Sequence, residues 1–260
     1  MSAAPVGVVL LYPDLLGTYG DSGNATILAQ RLRWRGIAAE VHTVLSSDPV
    51  PASADLYVVG GGEDLPQALA ARQLSGGADG AGPLRRAVDA GAAVLAVCAG
   101  LQILGASFVG PDGVAATGLG LLDATSTQGP GPRAVGELVV EPDPASGLPT
   151  LTGYENHAGV TAVGPDARPL GKVRTGVGNG TADGVDGVVQ GRVVGTYLHG
   201  PVLARNPALA DHLLASVVGP LAPLDDSDSD ELRAERLRAA SSGATHRRGG
   251  DRLARLVGRR

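Results

Sequence analysis

Cysteine, phenylalanine, tryptophan and methionine each occur once in these 260 residues, and aromatic side chains make up only 3% of the chain. A lone cysteine, Cys98, excludes an internal disulfide framework and any multi-cysteine metal site. With aromatics so scarce, the core has to be built from Val, Leu and Ala. No apolar run approaches the roughly 20 residues needed to span a membrane. No basic stretch leads into an apolar run at the N-terminus, so no signal peptide is visible. The Gly-Lys-Ser/Thr of a phosphate-binding loop is missing throughout, which argues against nucleotide binding. The net charge of −5 argues against a general nucleic-acid binder. The expectation is a soluble, cytoplasmic α/β protein with enough length for a substantial core.

What is present is a regular alternation of short apolar runs and longer amphipathic stretches. Val6–Leu11 is continuously apolar, as a buried parallel strand should be. Residues 24–35 carry Ile27, Leu28, Leu32 and Trp34 at near-helical spacing, with Gly36 as the stop. Strands are expected at 39–44, 56–59 and 92–97, and a helix at 83–90. Alternating strands and helices imply a flavodoxin-like, doubly wound, mostly parallel sheet with helices on both faces. Beyond about residue 110 short strands predominate, at 118–122, 135–140, 187–189 and 192–196, separated by Gly, Pro and Asp turns. This β-rich second half should extend or cover the first sheet. Residues 1–220 read as one domain and 221–260 as a charged tail, partly helical or disordered. The tail holds nine of the 21 basic and seven of the 26 acidic residues, a net +2 against −7 for the rest.

Cys98 lies between the apolar run 92–97 and Ala99-Gly100-Leu101-Gln102. Small residues after it permit a sharp strand-to-helix turn that would expose the sulfur at the carboxyl edge of the sheet, as in a nucleophile elbow. A helix N-terminus there lowers a thiol pKa, and its backbone amides can hold an oxyanion. Free cysteine is also among the most buried residue types, so the decision rests on its surroundings. A thiolate nucleophile needs a base. Of His42, His157, His199, His212 and His246, only His199 follows a strand and precedes a Gly-Pro turn, where it can project over a sheet edge.

These segments resemble a known family. Cys98-Ala99-Gly100-Leu101-Gln102 resembles the nucleophile motif of class I glutamine amidotransferases, and Gly60-Gly61-Gly62-Glu63-Asp64 their glycine-rich oxyanion strand. Tyr197-Leu198-His199-Gly200 resembles the cobyric acid synthase-like branch. Together with Tyr19-Gly20-Asp21-Ser22-Gly23-Asn24 and Tyr154-Glu155-Asn156-His157-Ala158-Gly159, it is similar to the glutaminase subunits of lipid II isoglutaminyl synthases, from about residue 7 to about 215.

The resemblance implies Cys98 as nucleophile and His199 as acid and base. Amides near Gly61 and Gly62 and at Ala99 would hold the oxyanion, and Arg133 would hold the substrate glutamine. Gln102 would hydrogen-bond beside the nucleophile. The glutamate usual two residues after the histidine is replaced by Pro201. The third member, if there is one, is left open among Glu63, Asp21 and Glu155. His157 is expected to be a hydrogen-bonded histidine that holds a loop. The loop 19–24 could bind an anion, with Ser22 or Asn24 as helix cap.

No metal and no cofactor is expected in this chain. The resemblance places ATP and Mg on a Mur-ligase-like partner subunit (MurT), in a heterodimer. That partner would amidate D-glutamate of a lipid-linked peptidoglycan precursor at the membrane surface. The alternatives are another acceptor, such as a cobyrinate-type corrinoid, or a non-catalytic redox-sensing or binding module on the same layers.

Overall fold

A mostly parallel sheet built largely by the first half of the chain forms the centre of the protein, whose structure, a computed structural model, describes residues 4–75, 82–110 and 112–241. The rest of the predicted tail, residues 242–260 with His246, lies outside the described residues. The first half runs β1 (Val6–Leu11), α1 (Ser22–Trp34), β2 (Ala39–Val44), β3 (Leu56–Val59), α2 (Asp64–Ser75), α3 (Pro83–Asp89), β4 (Ala93–Val97) and α4 (Ala99–Leu104). The second half adds β5 (Ser107–Val109), β6 (Ala115–Thr117), β7 (Ala124–Gln128), β8 (Ala134–Pro142), β9 (Leu151–His157), β10 (Gly159–Val163) and β11 (Gly171–Thr175). It closes with β12 (Val185–Asp186), β13 (Val188–Gln190), β14 (Val193–Thr196), α5 (Val202–Arg205), α6 (Pro207–Val218) and α7 (Ser227–Ser241).

The main sheet has six strands in the order β13-β14-β4-β3-β1-β2. All neighbours are parallel except β13 and β14. Strands β3 and β4 are buried over their whole length, which is why they read as unbroken apolar runs rather than alternating ones. Helices α1, α5 and α6 pack on one another, and α2 packs on α4. The second half extends this sheet through β13 and β14 and also forms two four-stranded sheets, β10-β7-β5-β6 and β12-β11-β8-β9.

The predicted strand at 118–122 does not form. Its amides reach back to the C-terminal end of α4 instead: Leu119 N–H to Ile103 O, Gly120 N–H to Gly105 O, and Leu121 and Leu122 N–H to Leu104 O, at 2.8–2.9 Å. A helix end leaves carbonyls without partners, and this segment satisfies them. Helix α2, which was not anticipated, buries Gln67, Ala70, Ala71 and Leu74 and leaves Leu65 and Leu69 exposed.

The segment after Leu221 is tied to the body at Asp226. The guanidinium of Arg31, buried on α1, binds Asp211 of α6 and Asp226 at 2.7 Å each, and Arg35 binds Asp211 at 2.6 Å. Burial pushes the Asp211 carboxyl upward, but the two arginines outweigh it and hold it below its ordinary value. No helix among the described residues is long and apolar enough to cross a membrane.

Candidate active site

Four adjacent strands, β14, β4, β3 and β1, deliver their following residues to one edge of the main sheet. That edge is the carboxyl edge, where open α/β sheets bind ligands. Cys98 leaves β4 with φ 51° and ψ −105°, a conformation that costs a non-glycine residue about 1–3 kcal/mol. The strain turns the chain at once into α4. Gly100 makes the turn possible, because a β-carbon there would stand 2.6 Å from Val59 O and 3.1 Å from Gly60 O.

His199 follows β14. Its backbone is fixed on Tyr154 of β9, with His199 N–H donating to Tyr154 O at 2.7 Å and Tyr154 N–H to His199 O at 3.1 Å. The imidazole is buried, with Nδ1 3.2 Å from Asp21 Oδ2. Asp21 is wholly buried and also accepts the Gly61 N–H at 2.9 Å. Burial alone would lower the His199 pKa. The hydrogen bond to Asp21 and the interaction with Cys98 overcome it and raise the value to about 9. Nε2, on the other side of the ring, is buried with no hydrogen-bond partner among the described residues. Tyr19 covers the imidazole, with ring centroids 4.7 Å apart.

Of the three carboxylates left open by the sequence, the structure brings only Asp21 to the imidazole. Glu155 accepts the amides of Val177 and Gly178, and Glu63 accepts the Tyr19 hydroxyl at 3.1 Å. Asp21 occupies the cap position of α1, without a side-chain cap bond. Neither Ser22 nor Asn24 is the cap, because both already belong to the helix or its interior contacts; Asn24 Oδ1 accepts the Leu203 N–H.

Gly61 has a different part from the expected oxyanion donor, since its N–H is spent on Asp21. A β-carbon on it would stand 2.7 Å from His199 Cε1, so it is a glycine to let the imidazole in. The amides of Gly62 and Ala99 make no hydrogen bond among the described residues.

Cys98, Gly62, Gln102 and Arg133 share one pocket of about 200 Å³, which Asp64 and Gln67 of α2 also line. Gln102 is held on both sides of its amide: Gln67 Nε2 donates to its Oε1 at 2.8 Å, and its Nε2 donates to Tyr197 Oη at 3.0 Å. The chain continues through Thr161 to Ser126. Burial and the nearby Cys98 push the Tyr197 phenol far above its usual value, so it stays protonated. Arg133 donates from Nε and Nη2 to Asn156 and from Nη2 to Tyr19 Oη at 3.3 Å. His157 stacks on Tyr197 with centroids 3.8 Å apart and its Nδ1 lies 3.0 Å from Gly159 O. His42 is exposed on β2 and His212 lies on α6, both away from this pocket. Among the described residues no group of three or more His, Cys, Asp or Glu is placed to hold a metal ion.

Tyr19, Asn156, Tyr197 and Gln67 were not singled out from sequence as parts of the site. Tyr19, Asn156 and Tyr197 sit in the quoted motifs, which is the signal that could have found them. Gln67 has none, because helix α2 itself went unread.

The chain matches the CobB/CobQ-like glutamine amidotransferase domain over residues 7–207. It is 34% identical to subunit GatD of the glutamine-hydrolyzing lipid II isoglutaminyl synthase of Staphylococcus aureus (strain N315), over 86% of this chain and 90% of that protein. A cobyric acid synthase of Cereibacter sphaeroides is 38% identical, but over 62% of this chain and only 32% of the synthase. Among solved structures, PurLQS from Thermotoga maritima superposes with a TM-score of 0.55 at 19% identity, covering 83% of this chain and 98% of that one, a likeness of fold.

Proposed function

The chain belongs to the CobB/CobQ-like glutamine amidotransferases, and from that premise we propose that it is the glutaminase subunit of a lipid II isoglutaminyl synthase, working through a cysteine thioester. Membership makes it a glutamine amidotransferase subunit. The specific assignment is supported by the likeness to GatD along nearly the whole of both chains, whereas the cobyric acid synthase extends far beyond the shared region.

The observation that carries the chemistry is the imidazole of His199, held on Nδ1 by buried Asp21 with Nε2 left without a partner among the described residues. His199 takes the thiol proton, and the sulfur attacks the amide carbon of glutamine. The carbonyl oxygen gains negative charge, for which the free amides of Gly62 and Ala99 are suited as donors. The C–N bond then breaks as His199 returns the proton to the departing nitrogen, releasing ammonia and leaving a γ-glutamyl thioester. Water, deprotonated by His199, hydrolyses the thioester to glutamate and restores the thiol. Arg133 suits the substrate α-carboxylate, because its planar fork matches that group.

Amidation of a carboxylate needs activation by ATP, which falls to the Mur-ligase-like partner, MurT, with its Mg. The partner would receive the ammonia and amidate D-glutamate in the lipid II stem peptide. The test is ammonia release from glutamine, then glutamine-dependent amidation of lipid II, by the chain purified with such a ligase. Equal ammonia release from wild type and Cys98→Ala overturns the thioester mechanism. Release without amidation overturns the lipid II assignment.

A further inference from the structure

One acidic and one basic side chain line the pocket that contains Cys98. Asp64 is its one carboxylate among the described residues, and Arg133 its one guanidinium. Asp64 opens α2 and is exposed, and its side chain makes no hydrogen bond or ion pair among the described residues. Its neighbour Glu63 faces differently: it accepts the Tyr19 hydroxyl and does not line the pocket. Arg133 uses Nε and Nη2 on Asn156 and Tyr19, and Nη1 has no partner among the described residues. The remaining lining side chains around Cys98, such as Gln67, Gln102 and Gln128, carry no charge.

A free amino acid presents an α-carboxylate and an α-ammonium on one carbon. A pocket with one free guanidinium nitrogen and one free carboxylate complements that pair, and a pocket of about 200 Å³ suits a molecule of amino-acid size. We propose that Asp64 is the receptor for the α-ammonium group of the substrate, so that Asp64 and Arg133 together read the amino-acid zwitterion and discriminate against amides that lack the amino group. The assignment rests on the glutaminase reading and adds to it the residue that sets substrate class. A carboxylate in the first turn of a helix also favours the helix dipole, but that role gives no preference between substrates.

The experiment compares binding of L-glutamine with binding of glutaramate, the same amide without the α-amino group, to the full chain carrying Cys98→Ala, by calorimetry. The parent should bind L-glutamine tighter by about two- to fivefold, the strength of one exposed ion pair. Adding Asp64→Asn should remove the preference by weakening L-glutamine alone, and Asp64→Glu should retain most of it. In the chain with an intact Cys98, Asp64→Asn should raise KM for glutamine by more than it lowers kcat. A preference that survives Asp64→Asn, or an equal loss for both ligands, overturns the assignment. A parent that binds neither ligand overturns the glutaminase reading along with it.

Discussion

Asp21 Oδ2 stands 3.2 Å from His199 Nδ1 across a sequence separation of 178 residues, and the same oxygen accepts the amide of Gly61. The carboxylate therefore comes from the loop after β1, not from the position after the histidine where Pro201 stands. It holds the imidazole in one orientation and leaves Nε2 for the chemistry. Loss of the carboxylate of a Ser-His-Asp triad costs about 10⁴ in kcat. Asp21→Asn should approach that loss with a smaller change in KM, measured as ammonia release over a range of glutamine concentrations. Because a buried anion favours imidazolium, and His199 must be neutral to accept the thiol proton, the substitution should also shift the acid limb of the pH–rate profile, set in wild type by the raised His199 pKa of about 9, to lower pH.

Gly61→Ala should abolish most activity without unfolding the protein, since the new methyl would stand 2.7 Å from His199 Cε1 and 3.2 Å from Asp21 Oδ2. Gly100→Ala meets rigid backbone at Val59 O instead, so its main effect should be on stability, about 1–3 kcal/mol by analogy with overpacked cores. Chemical denaturation alongside the glutaminase assay separates the two outcomes.

Arg133→Lys should raise KM for glutamine by about tenfold or more and change kcat little, because a point charge cannot reproduce the fork. Initial-rate kinetics over a range of glutamine concentrations read this directly.

Removing Arg31 leaves Asp211 and Asp226, each roughly a quarter exposed, without their shared partner. Losing one member of a buried pair costs about 3–5 kcal/mol, and the partial exposure of the acids places Arg31→Ala at about 2–3 kcal/mol. Urea denaturation should show that loss, and limited proteolysis should cut sooner after Leu221.

Asp186 is wholly buried, and desolvation raises its pKa to about 6 in spite of its hydrogen bonds from Thr196 and Tyr197. The folded chain thus holds a proton there that the unfolded chain, at an ordinary value near 3.8, has given up. Its contribution to stability is full below about pH 4 and is lost as pH rises through 6. Asp186→Asn should flatten that part of the stability–pH curve, measured as the difference in denaturation midpoint between the two proteins from pH 4 to 7.

Strands β1, β2 and β3 were legible from sequence to the residue because β1 and β3 are apolar runs and β2 carries β-branched Val41, Thr43 and Val44 shortly after the Gly36 helix stop. Helix α2 was not, since its largest apolar residues, Leu65 and Leu69, point outward while Gln67 and two alanines point in; periodicity then marks the wrong face. The run Gly118–Leu122 reads as a strand because it is a short apolar stretch among Gly, Pro and Asp turns, but its amides find helix carbonyls rather than a neighbouring strand. Cys98 and His199 were both visible as strand ends. Asp21 was one of three equal candidates, because a carboxylate brought across four strands leaves no mark in local spacing.

The ribbon of residues 118–122 hangs from the rear of α4, and β7, which follows it, contributes Ser126 to the pocket wall. A six-residue helix gripped in this way is a lever with the sulfur at its tip. One short helix thus carries the nucleophile at its front and anchors the approach to the pocket wall at its back, so the packing that fixes the glutamine chamber also fixes the aim of Cys98.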